Sequence, residues 1–236
     1  MVDFTGGTWR SLIDGSEVSA IPDSDLWYSI NEGSGQTFTD SNGDSDGDLV
    51  GGTWVEDSDF YDGWYVDLDS TDDHVLVGGG SNGDTSILSP NNDWSIGIQL
   101  NVETKLTDRS GRPVIWSWSG GEIFTLGAGG SSTTGLVGVE YFDGSDFQDS
   151  VGFSEPDAPY RLGILCRWDS GTESLDIYYD NTEGTEDFQD DANSDGTDGF
   201  RIGSNTANDD NLNEGIDAFA VWNSERIDPD DYFSVL

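Results

Sequence analysis

Asp93-Trp94-Ser95-Ile96-Gly97-Ile98-Gln99-Leu100-Asn101-Val102-Glu103 alternates without a slip. Trp94, Ile96, Ile98, Leu100 and Val102 fall on one face of an extended chain, and Ser95, Gly97, Gln99, Asn101 and Glu103 on the other. This period of two predicts a half-buried β-strand. The same rule recurs on both sides of the run. Trp64, Val66 and Leu68 alternate with Tyr65, Asp67 and Asp69; Val137, Val139 and Tyr141 with Gly138, Glu140 and Phe142; Leu175, Ile177 and Tyr179 with Asp176, Tyr178 and Asp180. Between such runs stand Asn42-Gly43, Asp62-Gly63, Asn82-Gly83, Asp143-Gly144 and Asp195-Gly196, dipeptides that tolerate the positive φ of hairpin turns. No segment carries an apolar stripe at helical spacing. Many short strands with turns at this spacing predict an all-β antiparallel sandwich.

Composition narrows the setting. The 236 residues carry 8 basic and 48 acidic side chains, a formal charge of −40, and Lys105 is the only lysine. A surface this acidic offers no basic patch for phosphates, so nucleic acid and anionic membrane are not expected partners. Nine Trp, eight Tyr and eleven Phe distinguish the chain from disordered acidic tails, which lack aromatics. Self-repulsion of this size opposes a compact state in dilute buffer, but at 1 M salt the screening length falls to about 3 Å. The charge therefore predicts a protein made for molar salt, as in extreme halophiles. No stretch reaches the roughly 18 to 20 apolar residues of a membrane span, and the first residues resemble no export signal.

Cys166, the only cysteine, rules out an internal disulfide. It shares a strand face with Leu162, Ile164 and Trp168, which predicts a buried structural thiol. His74, the only histidine, closes the charge-dense Ser70-Thr71-Asp72-Asp73 and reads as a turn residue.

Residues 1–25 read as a separate N-terminal arm for attachment or assembly, and residues 26–236 as the main domain. In that domain several segments, taken in order, resemble the laminin-G-like, concanavalin-A-like jelly-roll family. They are Leu26-Trp27-Tyr28-Ser29-Ile30, Val66-Asp67-Leu68-Asp69-Ser70-Thr71-Asp72-Asp73-His74-Val75, Asp93-Trp94-Ser95-Ile96, Leu175-Asp176-Ile177-Tyr178-Tyr179-Asp180, Arg201-Ile202-Gly203 and Gly215-Ile216-Asp217-Ala218-Phe219-Ala220-Val221-Trp222-Asn223. The resemblance implies two curved antiparallel sheets packed face to face, serving carbohydrate or protein adhesion more often than catalysis. It also implies an ion near Asp217.

Calcium has two further candidate loops. Asp191-Ala192-Asn193-Ser194-Asp195-Gly196 follows the D-x-N-x-D-G half of a calcium loop, and Asn42-Gly43-Asp44-Ser45-Asp46-Gly47 comes close. The candidate calcium ligands are thus Asp217, Asp191, Asn193, Asp195, Asp44 and Asp46, set against the alternative that an Asp-rich chain makes such patterns by chance. For sugar stacking the candidates are Trp116, Trp118 and Tyr178, with core packing as the competing role of both indoles. The E-x-D-x-x-E signature of jelly-roll glucanases is missing from the 214–221 segment, and no catalytic residue is assigned.

These readings converge on a non-enzymatic virion structural or adhesion protein of a halophilic archaeal virus: a turret, tail fibre or spike component. It would be synthesised in the host cytoplasm, exposed on the virion surface in brine, and assembled with other virion proteins as a homo-oligomer. Its expected partner is a host cell-surface glycan or glycoprotein. A polysaccharide-active glycoside hydrolase or lyase and a purely architectural decoration protein are the alternatives.

Overall fold

The computed structural model of the chain describes residues 24–43, 45–56, 63–70, 72–79, 91–105, 113–118, 155–179, 200–204 and 211–233 in full; strands at 2–4, 9–11, 17–18, 121–126, 137–142, 147–153, 182–183 and 188–189 are described by their backbone. In the N-terminal segment β1 (Val2–Phe4), β2 (Trp9–Ser11) and β3 (Glu17–Val18) pair antiparallel with one another. From Ser24 the chain belongs to the sandwich: Ser24 is buried, and Asp25 N–H donates to Val221 O at 2.9 Å.

The sandwich strands are β4 (Leu26–Tyr28), β5 (Thr37–Phe38), β6 (Gly47–Val50), β7 (Thr53–Glu56), β8 (Trp64–Asp67), β9 (His74–Leu76), β10 (Trp94–Val102) and β11 (Val114–Trp118). They continue with β12 (Gly121–Leu126), β13 (Val137–Phe142), β14 (Phe147–Phe153), β15 (Tyr160–Asp169), β16 (Ser174–Tyr179), β17 (Thr182–Glu183), β18 (Phe188–Gln189), β19 (Arg201–Ile202) and β20 (Gly215–Asn223). One sheet runs β17-β16-β15-β10-β20-β8-β7, with β4 also on β20 and β18 on β16; the other runs β14-β13-β12-β11-β19-β9-β6-β5. All these pairings are antiparallel, which gives the two-sheet sandwich that the alternation predicts, in the jelly-roll form that the resemblance implies. No helix among the described residues is long and apolar enough to cross a membrane.

Aromatic rings fill the space between the sheets. Trp94 stacks on Trp168 at 6.3 Å and meets Trp118 edge-on at 5.7 Å, while Phe219 meets Phe200 edge-on at 5.6 Å. Cys166 is buried among them, and burial pushes its thiol well above its ordinary pKa, as suits an inert packing group.

Two local breaks change what alternation alone predicts. The β10–β20 ladder pairs Gln99 with Ala218 and then Leu100 with Ile216, which leaves Asp217 as the extra residue of a bulge. In β11 the register shifts between Val114 and Trp116, and Ile115, Trp116 and Trp118 all join the inter-sheet core. His74 is not in a turn. It opens β9, is buried, and donates from Nδ1 to Asp72 O at 2.9 Å.

β10 departs most from expectation, because all nine of its residues are buried, not half. Its second face is covered at one end by the C-terminal segment, which ends in α1 (Pro229–Phe233), too short to leave a periodic signal. Ser95 Oγ donates to Glu225 O at 2.9 Å and accepts Ile227 N–H at 3.0 Å. The Tyr232 ring lies on Gly97, where any Cβ would run into it, and meets Trp222 edge-on at 5.9 Å. Two arginines staple the segment down. Arg167 donates to Ile227 O at 3.2 Å and pairs with Asp176 at 3.0 Å; Arg226 pairs with Asp169 at 2.8 Å and also with Asp176.

Candidate functional site

Beyond Tyr232 the same outer face changes character. Gln99 and Asn101 are the next outward positions of β10, about 6.8 Å apart along the strand. Gln99 is flanked by Gly163 on β15 and Ala218 on β20, and Asn101 by Arg161 and Gly215. Three of these four neighbours, Gly163, Ala218 and Gly215, have little or no side chain, and the fourth is Arg161.

The Tyr65 ring lies beside Asn101. A Cβ at Gly215 would lie 2.6 Å from Tyr65 Cδ2 and 2.9 Å from Asn101 Cβ, so glycine is what lets the ring cross β20 and approach Asn101. The Tyr65 hydroxyl donates to Glu103 Oε1 at 2.5 Å, which fixes an exposed carboxylate one outward position beyond Asn101. Glu103 N–H in turn donates to Oε2 of the fully buried Glu214 at 2.8 Å, tying the end of β10 to the start of β20.

The amides themselves are the unusual feature. Gln99 is 5% exposed and Asn101 8% exposed, yet among the described residues neither side chain has a hydrogen-bond partner, and neither is sealed from solvent. A buried amide left without a partner costs about 1–3 kcal/mol, so sandwiches normally pair such groups internally. Here two stand side by side on the outer face of β10, each offering one acceptor oxygen and a two-proton donor to whatever reaches them.

The residues singled out from sequence lie elsewhere. Trp116 and Trp118 are both buried between the sheets and present no ring face to a ligand, which is the packing role weighed against stacking. Tyr178 points away from Tyr179, as alternation requires, but into the C-terminal cluster: Arg167 lies 4.6 Å above its ring and donates to its hydroxyl. Ring stacking by a sugar at Tyr178 is therefore replaced by an internal cation–π contact.

For calcium, Asp191, Asn193, Asp195 and Asp44 lie outside the described residues. Asp46 is exposed, and its Oδ1 accepts Asp40 N–H at 2.9 Å. That loop is organised around the buried Asp40 carboxylate, which accepts N–H from Trp27 at 3.0 Å, Asn42 at 3.1 Å and Ser45 at 3.3 Å. Converging N–H donors suit an anion, and Asp40 already fills that place. Asp217 is fully buried at its bulge, but no cluster of three or more His, Cys, Asp or Glu that could hold a metal is assembled among the described residues.

Sequence reasoning missed Gln99, Asn101, Glu103 and Tyr65 as a group. The usable signal was the run of small residues at Gly163, Gly215 and Ala218, but their adjacency depends on strand register, which one sequence does not disclose.

No family model matches the chain, and no curated protein matches it. Solved structures do. Domain 4 of AbnA, a GH43 extracellular arabinanase from Geobacillus stearothermophilus, solved with arabinotriose, superposes with a TM-score of 0.65 at 13% identity, covering 90% of this chain and 97% of that one. The botulinum neurotoxin serotype D binding domain gives 0.59 at 15% identity over 89% of this chain, and its ligand-binding domain in complex with N-acetylneuraminic acid gives 0.55 at 12% identity over 90%. The chain spans about half the length of those neurotoxin chains, 51% and 50%. At these identities the likeness is one of fold alone, a two-sheet β-sandwich.

Proposed function

We propose that the chain is a non-enzymatic glycan-binding adhesion protein that works in molar salt. The observation that carries this reading is the pair of nearly buried, unpartnered amides, Gln99 and Asn101, on a floor of glycine and alanine. Its fold neighbours, one solved with arabinotriose and one with N-acetylneuraminic acid, support a sugar as the occupant. The charge of −40 supports the saline setting. Within that setting we place the protein on the surface of a virus of an extreme halophile, engaging a host cell-surface glycan or glycoprotein beside other virion proteins. Residues 1–25 would then serve assembly into a homo-oligomer.

Binding fits this site better than hydrolysis. A glycosidase needs two carboxyls flanking the scissile bond. Of the carboxyls around these amides, Glu103 is exposed, whereas Asp217 and Glu214 are fully buried and Glu214 accepts a backbone N–H. The test is binding of fluorescently labelled full-length protein to haloarchaeal cells in about 2 to 4 M salt, where charge is screened. Saturable binding that Gln99→Ala/Asn101→Ala abolishes supports the reading; no binding, or release of reducing sugar from the envelope, sinks it. A parallel run with chelator tests whether a calcium ion held by Asp191, Asn193 and Asp195 takes part.

A further inference from the structure

The same pair of amides also carries information about the charge of its ligand, provided that the glycan-binding reading holds. We infer that it takes an uncharged sugar unit, presenting neighbouring hydroxyls to Gln99 and Asn101, and that Glu103 excludes acidic sugars.

The chemistry of the lining leads there. A side-chain amide pairs an acceptor oxygen with a donor nitrogen, and two adjacent hydroxyls, each able to donate and accept, match that pair. The two amides project from alternate residues of one strand, so they address the same ring from one side. Gly163 and Ala218 flank Gln99 with little or no side chain, and the Tyr65 ring covers Gly215 beside Asn101. The molecule already seats one ring of its own this way, Tyr232 on Gly97, one step along the same strand.

Glu103 sets the charge preference. Tyr65 occupies one of its oxygens, and the remaining lone pairs can only accept. A sugar hydroxyl has a proton to give them, whereas a uronate, sialate or sulfate brings a second anion with none. Arg161 stands across from Asn101 and is engaged within the protein, and it is less exposed than Glu103. The chain's overall charge also repels acidic sugars in dilute buffer, but at about 1 M salt screening within about 3 Å leaves only groups in contact to discriminate. In brine the selectivity therefore rests on Glu103.

The full chain, the Gln99→Ala/Asn101→Ala double variant and Glu103→Gln would be applied in about 1 M KCl to an array of matched neutral and acidic oligosaccharides that includes arabinotriose, maltotriose, trigalacturonate and sialyllactose. Affinities for the best member of each class would then be measured by calorimetry. The expected result is binding of neutral members, with acidic ones weaker by roughly tenfold or more, the scale of one charge-assisted contact. Glu103→Gln should close most of that gap, and the double variant should lose both classes. Acidic members bound as well as neutral ones, or a gap unchanged in Glu103→Gln, would overturn the inference while leaving the glycan reading standing. An array blank for both classes would overturn that reading with it.

Discussion

Along β10 the outward positions Ser95 and Gly97 lie beneath the C-terminal segment, whereas Gln99 and Asn101, on the same face of the same strand, are left without protein partners. The floor is alike in both halves: Gly97 between Leu165 and Ala220, Gln99 between Gly163 and Ala218. What differs is the occupant. In the covered half the chain supplies a ring, Tyr232, and satisfies the hydroxyl of Ser95 twice over. In the open half it supplies the Tyr65 ring beside Asn101 but no hydrogen-bond partner for either amide. A face finished at one end and unfinished at the other is more economically explained by a ligand than by poor packing, because the chain completes that packing one residue pair away.

The comparison gives several ways to break it. Tyr232→Ala empties a fully buried ring site in the covered half and should cost about 3–5 kcal/mol, read from urea unfolding at high salt, with glycan binding kept as long as the fold persists. Asp176→Asn removes the anion shared by Arg167 and Arg226 and should cost about 1–2 kcal/mol, since the network is only partly exposed. In the open half, Gln99→Ala and Asn101→Ala should change stability by less than about 1 kcal/mol, because no internal hydrogen bond is lost, while removing saturable binding. If these alanines destabilise as much as Asp176→Asn, the amides are structural and the contrast between the halves collapses.

The smallest effect belongs to His74. Burial holds its imidazole below the ordinary histidine pKa, with Arg201 adding to the shift against the Asp72 carbonyl and the carboxylates of Asp73 and Asp72. The native state thus stays neutral where the unfolded chain takes up a proton. This contribution to stability is complete above about pH 6.5 and declines as pH falls below it. A modest fall in Tm between about pH 7.5 and about pH 6, absent in His74→Gln, is the expected signature.

Strand existence and facing were legible because alternation is a local property. The faces assigned to β10 and to Leu162, Ile164, Cys166 and Trp168 survive intact in the core. What was not legible depends on pairing. Whether Trp116 is core or platform turns on a register shift in β11, and the fate of the β10 outer face turns on a C-terminal segment that returns from 130 residues away. The site is assembled from β8, β10, β15 and β20, each contributing one or two unremarkable residues. Aromatic residues drew the sequence reading toward Trp116, Trp118 and Tyr178, yet rings of that size are also what a sandwich uses to fill itself.

The central claim is most directly tested by following the side-chain amide resonances of Gln99 and Asn101 by NMR in about 1 M KCl during titration with the best neutral oligosaccharide from the array. The account predicts that these two amides shift together and saturate with the calorimetric affinity, with the Tyr65 ring signals moving alongside. Saturable binding that leaves both amides unmoved, and shifts residues of the other sheet or the rim instead, would contradict it.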